Sequence, residues 1–214
     1  MKCCKTLGLV LLAALMLAAC QKPEPKEPSK QEQQETPAPS NLKVQTNKVD
    51  VFIWTDWIYF SFKENKVVKI GDPKADKGWD IGFHITDFQL NGGESGSGQG
   101  AAVKSDLTKL TPNPKLEGLA WEQDKTGVGI KKNMFQPEDK SVPKNLSLSD
   151  QIIKYSLNSM LMPPPIEISK NVWLIKDAEG KVLEFRVVSC NWEGPSGKKT
   201  LPMKFEYAYL PESK

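Results

Sequence analysis

A cysteine at position 20, closing an apolar run that begins almost at the N-terminus, restricts this chain more than any other residue. Residues 1–19 have the three parts of a secretory signal: Lys2 and Lys5 as a charged start, an apolar run from Leu7 to Leu17, and small residues before Cys20. The run is too short to span a bilayer. Its ending, Leu17-Ala-Ala-Cys20, has the form of a lipobox, where the peptidase cuts before a cysteine already bearing diacylglycerol. Residues 1–19 are therefore expected to leave, and Cys20 to become the lipid anchor. Of the four cysteines, Cys3 and Cys4 go with the signal, so Cys190 alone keeps a thiol. No intramolecular disulfide is then possible, which excludes a disulfide-stapled scaffold and the paired cysteines of a structural zinc site. Stability has to come from an apolar core. Cys190 ends the apolar stretch Val182 to Cys190, where a buried, inert thiol is the natural reading.

From Gln21 to Asn41 the chain is Lys, Glu, Gln, Ser and five prolines without Leu, Ile, Val or aromatics, so it cannot bury enough surface to fold. Residues 20–41 read as a lipidated cysteine on a disordered tether, extended by about 3 Å per residue where polyproline II forms. Residues 42–214 are the right size for one domain with one core. Formal charge is +3 overall and +1 once Lys2 and Lys5 are removed. The lysines are scattered and not interleaved with aromatics, which argues against nucleic acid as a partner.

The domain reads as all-β with one or few short helices. Val49, Val51 and Ile53 alternate along one segment, and Trp57-Ile-Tyr-Phe-Ser-Phe62 has large apolar residues on both faces, as in a strand buried on both sides. In the next strand Trp79, Ile81, Phe83 and Ile85 share one face, and Asp80, Gly82, His84 and Thr86 the other. Glycine then takes five of ten positions in Asn91-Gly-Gly-Glu-Ser-Gly-Ser-Gly-Gln-Gly100, a loop that is flexible or tightly turned. Further strands are expected at Val128 to Met134, Val172 to Lys176 and Lys181 to Cys190, the last two joined by a hairpin turn at Asp177-Ala-Glu-Gly180. Met203, Phe205, Tyr207 and Tyr209 alternate in a closing strand. A helix is expected over Ser149 to Asn158, with Ser149 capping a stripe of Ile152, Ile153 and Leu157.

No enzyme signature survives inspection. The glycine loop lacks Gly-Lys-Ser/Thr and no convincing helix opens after Gly100, so phosphate-cradling spacing is not met. His84 is the only histidine. It cannot build a multi-histidine metal site, no nucleophile elbow accompanies it, and a hydrogen-bonded structural histidine is the default. The carboxylate pairs Glu122 with Asp124 and Glu138 with Asp139 lie beside lysines, and the sequence shows none of the burial that acid/base catalysis needs. Met134, Met160 and Met162 read locally as core filler. Chemically, a thioether is also a soft, neutral donor that ligates haem iron and favours the ferrous state.

At Trp57-Ile-Tyr-Phe-Ser-Phe62, Trp79-Asp-Ile-Gly-Phe-His84 and the loop Asn91 to Gly100, the chain resembles the HmuY family of haem-binding lipoproteins from anaerobic Gram-negative bacteria. The likeness is strong over Asp56 to Pro112 and weaker through Asn171-Val-Trp-Leu-Ile175 and Phe205-Glu-Tyr-Ala-Tyr209. It implies a hand-shaped, all-β, non-enzymatic domain that grips one haem b between loops. The haem, taken from host haemoproteins or other haem-binding proteins, passes to a TonB-dependent outer-membrane receptor. It also implies an outer-membrane, lipid-anchored location at the cell surface, with a released soluble form. Family members use two histidines or two methionines as axial ligands in the second half of the chain. This sequence has no histidine there, and His84 falls on the family's structural histidine. By position the ligands carry over to Met134 and Met162, with Met160 as the fallback because the alignment can slip by two residues. A second reading is a surface lipoprotein of the same fold that binds a glycan or a protein partner through exposed Trp54, Trp121 or Trp192.

Overall fold

Two runs of alternating apolar residues near the C-terminus form the centre of the larger sheet. In the computed structural model, which describes residues 42–51, 56–129, 141–155, 165–195 and 200–211, this sheet has five strands. Their order is β1 (Gln45–Asp50), β13 (Pro202–Tyr209), β12 (Val182–Cys190), β11 (Trp173–Lys176) and β6 (Ala101–Lys104), with every pairing antiparallel. The period of two sends Met203, Phe205 and Tyr207 inward from β13 and Leu183, Phe185 and Val187 inward from β12. β11 and β12 meet at Asp177 to Lys181, as the sequence pattern predicts. The turn is held by the Asp177 carboxylate, which accepts the N–H groups of Glu179 and Lys181 at 2.9 Å each, while Gly180 takes a φ of +85°.

The second sheet has four strands in the order β3 (Lys66–Val68), β2 (Ile58–Ser61), β4 (Ile81–His84) and β5 (Asp87–Leu90), again antiparallel. Its aromatics face those of the first sheet. The Phe60 and Phe83 rings each stand 5.2 Å from Phe205, and the Phe62 ring stands 4.8 Å from Tyr207. Burying one such ring contributes roughly 1.5–3 kcal/mol, so this aromatic layer dominates the core. Polar ties add specificity between the sheets. Tyr207 donates its hydroxyl to Phe62 O at 2.7 Å, and buried Asp80 accepts from Phe62 N at 2.7 Å and from Ala178 N at 3.0 Å.

Four sequence expectations need correction. The strand containing Trp79 to Thr86 ends at His84 and reverses over Ile85 and Thr86, since His84 pairs with Asp87. Ile85 sits at φ +56°, a costly place for a β-branched residue, and its side chain is fully buried, which offsets the cost. Neither residue is a usual turn former, so the reversal left no trace in the sequence. The expected helix from Ser149 is a set of turns over residues 146–151 followed by β9 (Ile153–Tyr155). Asp150 at φ +58° interrupts helical geometry, and Ser149 caps nothing, because its Oγ accepts from Phe88 N at 2.9 Å. Trp57, Ile58 and Tyr59 are half-buried, so burial on both faces begins at Phe60. The strand expected from Val128 is β7 (Lys125–Val128), beginning three residues earlier.

The glycine loop is tightly turned, and its centre is Asn91. This buried amide donates to Trp79 O at 2.8 Å and accepts from Gly98 N at 3.0 Å. A Cβ on Gly96 would stand 2.2 Å from Asn91 Oδ1, and one on Gly98 would stand 2.5 Å from Asn91 O. The glycines are needed because backbone wraps another backbone there, which is a structural role.

Candidate functional site

Two short ribbons stand apart from the two sheets. β7 pairs with β8 (Ser141–Lys144), with Lys125 opposite Lys144 and Val128 opposite Ser141. β9 pairs with β10 (Ile166–Ile168), with Ile153 opposite Ile168 and Tyr155 opposite Ile166. The connection within the first ribbon contains Met134, and that within the second contains Met160 and Met162. All three methionines lie outside the described residues, as do Trp54, Glu138 and Asp139. The described strands that flank them fix where both connections begin and end.

The first ribbon is rooted on β5, the edge strand of the four-stranded sheet, and the turn that leads into the second ribbon is tied to the β4–β5 hairpin. An edge strand carries unpaired N–H and C=O groups that must be covered or paired. Here the ribbon roots do this. Leu90 N–H donates to Asp124 Oδ2 at 2.8 Å, one residue before β7 begins. Asn145, directly after β8, donates its N–H to Phe88 O at 2.8 Å, and Gln89 Nε2 donates to Pro143 O at 2.7 Å. The turn towards β9 is held by Ser149 on Phe88 and by Asp150 N–H on Thr86 O at 3.0 Å. Ser169, just past β10, donates to Ile152 O at 2.8 Å. The second ribbon also has an apolar footing: Ile152 and Ile153 are fully buried, and Ile166 and Ile168 pack against the core. The first ribbon has little of this, with Val128 55 % exposed.

Buried charge concentrates at these roots. Lys144 Nζ lies 2.7 Å from Asp87 Oδ1 and 3.2 Å from Asp150 Oδ2. Asp124 is buried beside Ser95, Asn145 and Glu122, and burial pushes its carboxyl up to about 7 from the ordinary value of 3.8. Away from the ribbons, burial likewise raises Glu184, on the outer face of β12, to about 7; its Oε2 accepts Thr111 N–H at 2.6 Å. Of the root residues, Asp124 stands out in the sequence only as half of a carboxylate pair and Ser149 only as a helix cap, and Asp87, Lys144, Asn145 and Asp150 carry no signal at all. They are single polar residues in short segments with no periodicity, and only the fold brings them together.

The other sequence candidates have structural surroundings. His84 is buried in β4 with its ring 5.4 Å from Trp57. Cys190 is buried, and burial pushes its thiol up to about 12, so the thiolate that would react is suppressed. Met203 lies in the core. Among the described residues no cluster of three or more His, Cys, Asp or Glu is placed to hold a metal ion. Of the tryptophans expected as exposed stacking platforms, the two that are described are half-buried: Trp121 has Lys176 Nζ 4.6 Å over its ring, and Trp192 packs against the core.

Residues 53–207 match the family model described as HmuY protein. The fold is similar to that of a protein from Bacteroides vulgatus described as a HmuY-like haem-binding protein, at 22 % identity and a TM-score of 0.58, covering 79 % of this chain and 93 % of that one. It is also similar to a protein from Bacteroides fragilis described as a lipoprotein, at 21 % identity and a TM-score of 0.58, over 79 % and 91 % of the two chains. A ligand-free HmuY analogue from Tannerella forsythia matches at 14 % identity and a TM-score of 0.54, over 80 % and 97 %. At these identities the likeness is one of fold. No curated protein matches the chain.

Proposed function

The chain belongs to the HmuY family, and from that premise we propose that it is a haem-binding lipoprotein whose two ribbons present methionine ligands to one haem b. Met134 supplies one thioether and Met162 the other, with Met160 the alternative two residues away. In this reading residues 1–19 are a cleaved signal, residues 20–41 a lipidated tether anchored at Cys20, and residues 42–214 the binding domain. It is not an enzyme. The domain works at the outer-membrane surface, and in a released soluble form, taking haem from host haemoproteins or other haem-binding proteins. It then passes the haem to a TonB-dependent receptor.

One observation carries the reading beyond the family: three of the four methionines of residues 42–214 fall in the connections of two ribbons, and the first ribbon and the turn into the second are both tied to the β4–β5 hairpin. A flat ligand gripped on both faces requires its two donors to be borne by one scaffold. The donor chemistry fits the group. Neutral thioethers are soft ligands that favour Fe(II) over Fe(III), and bound haem supplies the iron that accepts them. The chain's own task is to hold and orient these donors while the sheet-borne residues keep the ribbons in place.

An absorbance titration with haem, in air and under dithionite, tests this. Saturable Soret shifts with sharp ferrous bands, and tighter binding under reduction, are expected. No spectral change in either state overturns haem binding, and equal affinity in both states counts against thioether ligation.

A further inference from the structure

Lys144, Asp87 and Asp150 belong to three different elements. Lys144 ends β8 and so the first ribbon, Asp87 opens β5 on the four-stranded sheet, and Asp150 lies in the turn that leads into the second ribbon. The ammonium group of Lys144 touches both carboxylates, at 2.7 Å and 3.2 Å. The side chains of Lys144 and Asp87 are only 5 % and 1 % exposed, whereas that of Asp150 is 61 % exposed. Across the β4–β5 hairpin, His84 stands opposite Asp87.

A buried ion pair is poor value as a source of stability, because well-packed apolar side chains of similar volume serve as well or better. What it does supply is direction. A lysine fixed by one buried carboxylate and reaching a second one on another element sets the spacing between the two. We propose that Lys144 is a positioning residue that sets the separation and angle of the two ribbons, with Asp150 as the contact that registers the second ribbon against the first. The inference rests on the reading that the ribbons carry the haem ligands. A ligand gripped from both faces is held best when its two donors are already at the right separation, since ordering them on binding weakens affinity. The backbone reinforces the tie: Asp150 sits at φ +58° and its N–H is bonded to Thr86 O at 3.0 Å.

Asp150→Asn tests this cleanly in the full chain. Asparagine tolerates positive φ, keeps the backbone bond and leaves the buried Lys144–Asp87 pair intact, so the fold should hold and the melting temperature move by no more than about 2 °C. Ferrous haem should dissociate about three- to fivefold faster, and the ferrous spectrum should show a mixture of five- and six-coordinate iron. Lys144→Met should weaken binding further and is read only with its melting curve beside it. If the unmodified chain binds haem and Asp150→Asn gives the same dissociation rate and a single six-coordinate spectrum, the positioning role is wrong and the haem reading stands. If the unmodified chain binds no haem, the haem reading fails and takes this inference with it.

Discussion

The aromatic layer between the two sheets and the pair of ribbons beside it are built on opposite terms. The layer joins a five-stranded and a four-stranded sheet, with Phe60, Phe83, Phe185 and Phe205 each nearly inaccessible to solvent. It draws on non-directional burial that tolerates few changes in volume. The ribbons are two strands wide, too narrow to be stable alone. They are held at their roots, by side chains and amides bonded to the β4–β5 hairpin and, for the second, by apolar packing. Between the ribbons there is a further contrast, because the second drives Ile152 and Ile153 into the core while the first relies on Asp124, Lys144 and Asn145. The core and the ribbon roots are thus held by different forces. Under the proposed reading, ligand donors in the ribbon connections could change type, or be lost, without the core sensing it.

Phe205→Ala removes a ring that touches Phe60, Phe83 and Phe185 and should cost about 3–5 kcal/mol in denaturant unfolding. A cost under about 1 kcal/mol would mean that the two sheets are not held by this layer.

Next in size is a pH effect at the first ribbon's root. Folding raises the Asp124 carboxyl from about 3.8 to about 7, so folding favours its neutral form. Its stabilising contribution is complete below about pH 4, falls as pH rises, and is gone above about pH 7. Asp124→Asn lacks this titration. Between pH 4 and 7 the unmodified chain should therefore lose up to about 4 kcal/mol relative to the variant, measured by urea unfolding. Parallel pH profiles for the two proteins would show that the carboxyl is hydrated and the root open.

The glycine loop gives a sharper and somewhat smaller test. Gly96→Ala drives a methyl group into Asn91 Oδ1 and should destabilise by about 2–3 kcal/mol. At the small end, Val128→Thr on the exposed face of the first ribbon should change stability by less than about 0.5 kcal/mol, seen as an unmoved urea midpoint.

The same contrast explains what the sequence made legible. β12 and β13 were readable because eight- and nine-residue strands with one buried face repeat the period of two often enough to be unmistakable. The hairpin at Asp177 was readable because Asp and Gly take up the conformations the turn needs. The ribbons were not, since Lys125-Thr-Gly-Val128 and Ser141-Val-Pro-Lys144 are too short and too polar to show periodicity. The apolar stripe at Ile152 and Ile153 looked helical although both residues enter the core from a turn and a strand. The proposed ligand positions Met134, Met160 and Met162 follow from family resemblance, because local pattern alone reads them as packing residues.

The proposal that Met134 and Met162 hold haem on a scaffold that does not depend on them is tested by ferrous haem binding and thermal unfolding of Met134→Ala/Met162→Ala beside the unmodified chain. An unchanged melting curve in the absence of haem is expected, together with loss of the six-coordinate ferrous spectrum and of most of the affinity. A variant that still binds reduced haem as tightly, with the same spectrum, would contradict it.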